Sequence, residues 1–169
     1  MSDSMKKDQQ SVTSDGELLR TLIEGVAVKE INNVVTKNGV MVELFRPEWA
    51  TPDFSVNHII HVSFRPGALS AWHYHKLQTD NIMVTEGAMR LVLFDNRDRS
   101  STKGMINEFL LSPARPALVT IPPDIWHGIQ NIAGTTSNFI NYFDRAYNYE
   151  DPDEWRLPPD TTEIPYTFP

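Results

Sequence analysis

The 169-residue chain contains no cysteine, which excludes disulfides, thiolate metal ligands and cysteine nucleophiles. No apolar run approaches the roughly 18–20 residues that a membrane-spanning helix needs. The polar N-terminus lacks the apolar centre of a secretory signal. With a formal net charge of −7, the chain also lacks the basic surface on which non-specific nucleic-acid binding depends. We therefore expect a cytoplasmic protein with neither a membrane nor a nucleic-acid partner.

Most of the chain alternates short β-like runs with turn residues. The predicted strands span residues 25–31, 39–45, 57–64, 69–75, 80–86, 88–95, 107–111, 117–121, 126–132 and 137–143. Ten short strands with no helices between them are typical of an antiparallel barrel or jelly roll. The length suits one domain, which we place at residues 14–169 with a barrel core of about residues 36–145.

The two ends of the chain differ from this pattern. Residues 1–13 are predicted to form a disordered tail. Ser14 and Glu17 have capping-box spacing, and an apolar stripe that stops at Gly25 follows them, so one short helix is predicted over residues 14–25. The C-terminal stretch "EDPDEWRLPPDTTEIPYTFP" is too rich in proline for a central strand and is predicted to pack on the barrel surface.

Two of the five histidines, His73 and His75, stand one residue apart in a predicted strand. Side chains at that spacing point to the same face. The stretch "PGALSAWHYHKLQTDNIMVTEG", residues 66–87, resembles the first motif of the cupin family, with Asp80 in place of glutamate. The stretch "PALVTIPPDIWHGIQN" resembles the second cupin motif at His127. The resemblance implies a cupin jelly-roll barrel.

The cupin resemblance also implies a divalent metal ion inside the barrel. Its ligands would be the two histidines, the carboxylate and the third histidine, that is His73, His75, Asp80 and His127. Three neutral imidazoles and one carboxylate suit Fe, Mn, Zn, Ni or Cu equally well, so the sequence does not choose among these metals.

A closer resemblance covers the chain from about residue 36 to its end. The stretches "WHYH", "EGAMRLVLFDNRDRSSTKG" and "IPPDIWHGI" and the tail "YNYEDPDEWRLPPDTTEIPYTFP" are similar to the dTDP-4-dehydrorhamnose 3,5-epimerase family. The resemblance implies a homodimer of barrels, each of which binds a sugar or nucleotide-sugar substrate.

In that family a histidine base removes protons alpha to a C4 ketone, and a tyrosine acid returns protons from the opposite face. His73 falls on the base. The tyrosine aligns with Asn141, and a one-residue slip would put the adjacent Tyr142 in its place. Glu43 and Arg97 match positions that the resemblance associates with substrate binding.

The chain departs from the family pattern at three positions. The family's lysine is Asp80, its diphosphate-binding arginine is Ser70, and its tyrosine acid is Asn141. The change to Asp80 reverses the charge beside an enolate that needs stabilisation. A cation bound in the barrel would restore the positive charge.

The metal and the base make conflicting demands on His73, because an imidazole nitrogen bound to a metal has no lone pair for a proton. If His73 ligates, then Tyr142, His61 or Glu43 moves the proton. We expect a metal-assisted keto-sugar or nucleotide-sugar isomerase or epimerase that acts by enolisation. A metal-dependent cupin dioxygenase and a non-catalytic sugar-binding cupin are the alternatives.

Overall fold

The computed structural model describes residues 7–8, 10–16, 19–51 and 53–169. These residues form twelve strands and one short 3-10 helix, Pro47–Trp49. The strands are β1 (Ala27–Glu30), β2 (Val34–Thr36), β3 (Gly39–Met41), β4 (His58–Phe64), β5 (Leu69–Tyr74), β6 (Asp80–Glu86), β7 (Met89–Asp95), β8 (Ile106–Leu111), β9 (Ala117–Ile121), β10 (Ile125–Asn131), β11 (Ser137–Phe143) and β12 (Trp155–Arg156).

Ten of these strands form two five-stranded antiparallel sheets. The first sheet has the order β1-β9-β6-β11-β4 and the second has the order β12-β5-β10-β7-β8. From β4 to β12, strands that follow one another along the chain lie in different sheets, except for the paired strands β7 and β8. This connectivity confirms the predicted all-β jelly-roll barrel. Strands β2 and β3 form a separate hairpin.

Alternate side chains of the two sheets meet in one apolar core. Ile82 and Val84 of the first sheet and Leu91, Leu93 and Phe109 of the second are all 3% exposed or less. Burying such a side chain contributes about 1.5–3 kcal/mol. The core therefore provides the rigid frame on which the polar side chains of the same strands are held.

Chain segments outside the barrel cover both outer sheet faces. Phe45, in the segment before β4, stacks on Tyr142 on the outside of the first sheet, with ring centroids 5.3 Å apart. The C-terminal tail covers the second sheet, where Ile164 and Phe168 pack against the fully buried Trp72. The prediction of a surface-packed C-terminal tail is confirmed.

The predicted N-terminal helix over residues 14–25 is wrong. The described residues 14–16 and 19–25 form turns and irregular chain, and residues 17 and 18 lie outside the described residues. Asn107 explains the difference, because its side chain accepts the Ile23 N–H at 2.9 Å and donates to the Thr21 carbonyl at 2.9 Å. With Ile23 inserted in the core, these contacts override the local helix signals. Of the predicted disordered tail, residues 1–6 and 9 also lie outside the described residues.

The sequence predicted most strand positions and misjudged three short ones. The predicted strand 39–45 ends at Met41, because the following residues turn to pack on the outside of the first sheet. Its partner β2 and the two-residue strand β12 were not predicted.

Within the described part of the chain, no helix is long and apolar enough to cross a bilayer.

Candidate active site

A cavity of about 720 Å³ lies between the two sheets. Its apolar wall includes Ile82, Ile129 and Phe139 of the barrel core. Polar side chains of β4, β5, β6, β10 and β11 line the rest, together with several tail residues between Asp144 and Arg156. This space is not filled by side chains, so it can hold a ligand.

Three histidines enter the cavity from two paired strands of the second sheet. His73 and His75 leave β5 and its end on the same side, and His127 of β10 is the register partner of His73. The His127 ring lies 5.6 Å from the His73 ring and 5.3 Å from the His75 ring, measured between centroids. The predicted gathering of the imidazoles in the barrel is therefore observed.

His75, Asp80 and His127 form a buried cluster of potential metal ligands. Their ligand atoms lie within 4.8 Å of one another. The Asp80 Oδ2 atom is 3.7 Å from the His75 Nε2 atom and 3.4 Å from the His127 Nε2 atom. Two ligand atoms that are each about 2.1 Å from a tetrahedral ion are themselves about 3.4 Å apart. The two distances from Asp80 are therefore close to the distance between two ligand atoms of one metal ion.

Hydrogen bonds fix the orientation of both imidazoles in this cluster. The His75 Nδ1 atom is 2.5 Å from the Asp153 carbonyl and the His127 Nδ1 atom is 3.1 Å from the Ile125 carbonyl. Because a carbonyl only accepts, each Nδ1 carries a proton, and in a neutral imidazole each Nε2 would then present its lone pair to the Asp80 carboxylate. Two lone pairs facing a buried anion require a proton or a metal cation between them, and the donor set fits a divalent metal.

Asp80 is held as an anion in this cluster. Burial alone would raise the pKa of Asp80, but His127, His75 and Gln78 together hold it below its usual value. The Gln78 amide donates to Oδ1 at 2.8 Å and the Asn141 amide donates to Oδ2 at 3.2 Å.

His73 belongs to a different group of side chains. Its Nδ1 atom lies 3.0 Å from Glu154 Oε1, and its Nε2 atom lies 2.6 Å from Ser70 Oγ and 3.1 Å from Arg156 Nη1. Because arginine only donates, Nε2 is the accepting nitrogen and Nδ1–H donates to Glu154. The structure therefore does not place His73 with the predicted ligands His75, Asp80 and His127.

The His73–Glu154 pair consists of a neutral imidazole and an ionised carboxylate. Burial lowers the pKa of His73, against the opposing effect of its hydrogen bond to Glu154. The same hydrogen bond and the neighbouring Arg156 lower the pKa of Glu154 to about 2, although burial opposes them. At neutral pH, His73 is thus an uncharged imidazole, and its Nε2 lone pair accepts from Arg156 at the cavity wall.

Tyr142, the predicted catalytic acid, lies on the opposite face of the first sheet from the cavity. Its side chain is 5% exposed and stacks on Phe45, and its burial raises its pKa. The preceding residue, Asn141, lines the cavity instead. The one-residue slip does not occur, because the register of β11 with β4 and β6 fixes which side chains point inward.

Glu43 and Arg97, predicted to bind substrate, lie outside the group of described residues that line the cavity. Glu43 is exposed and pairs with Arg46 at 3.2 Å. Arg97 donates to the Asp95 carboxylate at 2.9 and 3.0 Å and to the Glu24 carbonyl at 2.7 Å. These contacts make Arg97 part of a turn on the outside of the second sheet.

Sequence reasoning missed Glu154 and Arg156, and it did not place His58 in the cavity wall. The two tail residues reach the cavity because β12 pairs with β5, which puts Arg156 opposite His73. The signal that could have found them is the run of charged residues, "DPDEWR", in a tail otherwise rich in proline. His58 of β4 lines the cavity from the first sheet, whereas His61, three residues later, is exposed.

A jelly-roll barrel whose strands carry this polar interior cavity defines the class of protein: it is a cupin-type barrel. A family model described as dTDP-4-dehydrorhamnose 3,5-epimerase matches residues 20–166, and the chain belongs to this family. The protein is accordingly an isomerase or epimerase of that class.

Curated relatives and solved structures agree with this assignment. The probable low-salt glycan biosynthesis epimerase Agl13 of Haloferax volcanii is 33% identical over 139 residues, which are 82% of this chain and 89% of Agl13. A dTDP sugar isomerase structure from Desulfovibrio desulfuricans G20 superimposes with a TM-score of 0.78 at 27% identity, covering 88% of this chain and 94% of its own. ChmJ, a 3'-monoepimerase from Streptomyces bikiniensis solved with dTDP-quinovose, shares the fold, with a TM-score of 0.77 at 20% identity over 87% of this chain and 76% of its own.

Proposed function

We propose that the protein epimerises a nucleotide-linked keto-sugar, of the dTDP-sugar type, by removing and returning a proton next to a carbonyl group. The observation that carries this proposal is the His73–Glu154 pair at the cavity wall. Its Nδ1 donates to the Glu154 carboxylate, and its Nε2 contacts Ser70 and Arg156, which also line the cavity. The dTDP-quinovose bound by ChmJ and the isomerase named for dTDP sugars support the substrate class.

In this proposal His73 is the base. When bound substrate replaces Ser70 and Arg156 at Nε2, this nitrogen takes a proton from the carbon next to the carbonyl, and the C–H electron pair moves into an enolate whose charge rests on the carbonyl oxygen. The Glu154 carboxylate stabilises the imidazolium that forms. Arg156 Nη1, 3.1 Å from His73 Nε2, is a cation close enough to the reacting atoms to stabilise the enolate oxygen.

Inversion requires that the proton return from the other face of the sugar. His58 lies on β4 of the first sheet and lines the cavity opposite the second sheet, which carries His73. We propose His58 as this proton donor, because Tyr142 faces away from the cavity and Asn141 carries no titratable proton.

We further propose that His75, Asp80 and His127 hold a divalent metal ion. The support is the buried donor set, with both Nε2 atoms directed at the carboxylate. Enzymes of this family generally need no metal, so this part of the proposal depends on the residues of this chain alone. When bound, such an ion would polarise a carbonyl oxygen in the cavity.

The same two-histidine, one-carboxylate set is the one observation that favours a second function, that of a metal-dependent dioxygenase. Oxygen uptake by the Fe(II)-loaded protein with small phenolic or thiol substrates would support it. The absence of oxygen uptake, together with proton exchange on a keto-sugar, would leave the epimerase as the function.

We also propose a homodimer. The support is the β2–β3 hairpin, whose Val35 and Val40 are 81% and 65% exposed and form an apolar surface beside the barrel. Light scattering is expected to give twice the chain mass, and a Val35→Lys, Val40→Lys variant is expected to be monomeric. The cytoplasmic location stays a prediction.

The proposed function is tested by incubating the protein with a dTDP-4-keto-6-deoxy sugar in heavy water. NMR is expected to show deuterium entering the carbon next to the carbonyl, followed by the signals of the inverted sugar. An otherwise identical incubation with the corresponding dTDP-sugar that lacks the keto group is expected to show no exchange. If neither exchange nor inversion occurs with either metal-loaded or metal-free protein, the proposed function is wrong.

A further inference from the structure

We infer that Asp153 is a positioning residue that fastens the C-terminal tail to the β5–β6 turn, and that this clamp sets Glu154 against His73. The inference rests on the proposed function for its catalytic consequence. The contact itself is a property of the fold and can be measured without substrate.

The clamp is built from one carboxylate and three consecutive backbone amides. Asp153 Oδ1 accepts the Lys76 N–H at 2.9 Å, and Asp153 Oδ2 accepts the N–H groups of Leu77 at 2.7 Å and Gln78 at 3.0 Å. Successive amides that converge on one anion form a strong and directional site. The turn therefore holds Asp153 at one defined position.

Asp153 and Glu154 also contact two histidines, His73 in β5 and His75 in the turn that follows β5. The Asp153 carbonyl accepts the His75 Nδ1–H at 2.5 Å, and the Glu154 carboxylate accepts the His73 Nδ1–H at 3.0 Å. Two adjacent tail residues thus fix the tautomers of two histidines that face the same cavity. The position of the tail therefore determines whether the Nδ1–H groups of His73 and His75 have hydrogen-bond acceptors.

Few other contacts hold the tail around Glu154 against β5 and the turn that follows it. β12 contributes only two register pairs to β5, and the Lys76 ammonium covers the exposed Trp155 ring at 3.8 Å. The stretch from Asp144 to Glu154 contains no regular element. Without the clamp, the two-residue strand β12 would be the nearest regular element that holds Glu154, and a displacement of about 1 Å can reduce a catalytic rate on the order of 100-fold.

Hydrogen exchange and ring-nitrogen NMR test the clamp directly on the full-length protein. In Asp153→Ala, the amides of residues 76–78 are expected to lose protection, and the Nδ1–H signals of His73 and His75 are expected to weaken or disappear. Asp153→Asn keeps one accepting oxygen and is expected to be intermediate. The exposed Glu150, on the same segment, provides the control Glu150→Gln, which removes the same charge and is expected to leave both signals unchanged.

Kinetics of deuterium exchange test whether the clamp acts through Glu154. Asp153→Ala is expected to lower kcat at least 10-fold with KM within about two-fold. Adding Glu154→Gln to Asp153→Ala is expected to cause little further loss, because two changes that act through one contact are not additive. Full additivity of the two losses, or wild-type kcat in Asp153→Ala, would overturn the inference.

The two proposals fail in distinguishable ways. If the wild-type protein exchanges no proton of any keto-sugar, the proposed function fails, and the ring-nitrogen signals then decide the clamp. Loss of these signals in Asp153→Ala would support the clamp, and their retention would overturn it.

Discussion

His73 and His127 stack across the paired strands β5 and β10 with their ring centroids 5.6 Å apart, yet they belong to different groups. His73 Nδ1 lies 3.0 Å from Glu154, whereas His127 Nε2 lies 3.4 Å from Asp80. One cavity thus contains a histidine with the environment of a base beside a cluster with the environment of a cation site. The sequence offered these two roles as a conflict over His73, and in the proposed function they belong to different histidines.

Metal content distinguishes these groups. His75→Ala and His127→Ala are each expected to lower the metal bound per chain at least 10-fold, because each removes one of three proposed ligands. His73→Ala is expected to keep the wild-type metal content, since both nitrogens of His73 are engaged elsewhere. Elemental analysis of the purified proteins makes the measurement, with the outward-facing His61→Ala as a control. Unchanged metal content in His75→Ala would show that the ligand assignment is wrong.

Replacement of His58 should separate proton removal from inversion. In His58→Phe, His73 can still take the proton, so deuterium is expected to enter the substrate at a rate within about five-fold of wild type. Inversion is expected to fall at least 100-fold, because the donor on the other face is lost. NMR follows both processes in one sample. Tyr142→Phe, which removes a hydroxyl outside the cavity, is expected to keep both rates within about two-fold. Parallel loss of exchange and inversion in His58→Phe would contradict this role.

The turn that contains Arg97 is expected to stabilise the fold rather than bind substrate. Burial opposes the ionisation of Asp95, but hydrogen bonds from Arg97, Ser100 and Thr102 outweigh it and lower the pKa of Asp95 far below its usual value. Asp95→Asn is expected to reduce the free energy of unfolding by about 1–3 kcal/mol at pH 7. Urea denaturation measures this difference.

The difference in unfolding free energy between wild type and Asp95→Asn is expected to depend on pH in one direction. A carboxyl group with a lowered folded-state pKa stabilises the fold fully above its unfolded pKa of about 3.9 and loses that contribution as the pH falls towards the folded-state value. The difference between wild type and Asp95→Asn should therefore shrink below about pH 4. Asp98→Asn, an exposed change in the same turn, is expected to stay within about 0.5 kcal/mol of wild type. A difference that grows as the pH falls would contradict the assignment.

Close packing of the tail on the second sheet depends on Gly128. A Cβ atom at this position would lie 2.6 Å from Ala71 Cβ and 2.8 Å from the Phe168 ring. Gly128→Ala is therefore expected to lower the free energy of unfolding by about 1–3 kcal/mol, the usual effect of overpacking. Gly134→Ala is the matched control, because a Cβ there meets no atom within 4 Å. Equal stability of the two variants would mean that the tail does not pack as described.

The barrel was predictable because its strands carry alternating side chains bounded by turn residues, and this pattern is local. The N-terminal helix was wrong because Asn107, distant in sequence, binds the backbone at Thr21 and Ile23. Tyr142 was misplaced for a related reason, since only the register of β11 with its neighbours decides which of two adjacent residues faces inward.

The spacing of residues in the sequence predicted the cluster of potential metal ligands but not the contact between Glu154 and His73. The meeting of His75, Asp80 and His127 was predicted from the motif, and it depends on strands close to one another in the barrel. The contact of Glu154 with His73 joins residues 81 positions apart through a tail without regular structure. No periodic pattern in the tail marks which of its acidic residues contacts His73.

The most direct test of the account is the rate at which His73→Asn washes deuterium from heavy water into a dTDP-4-keto-6-deoxy sugar. Asparagine cannot accept a proton at neutral pH, so the rate is expected to fall at least 1,000-fold while the variant keeps its fold and its metal content. A His73→Asn protein that exchanges the proton at the wild-type rate would contradict the role of His73 as the base.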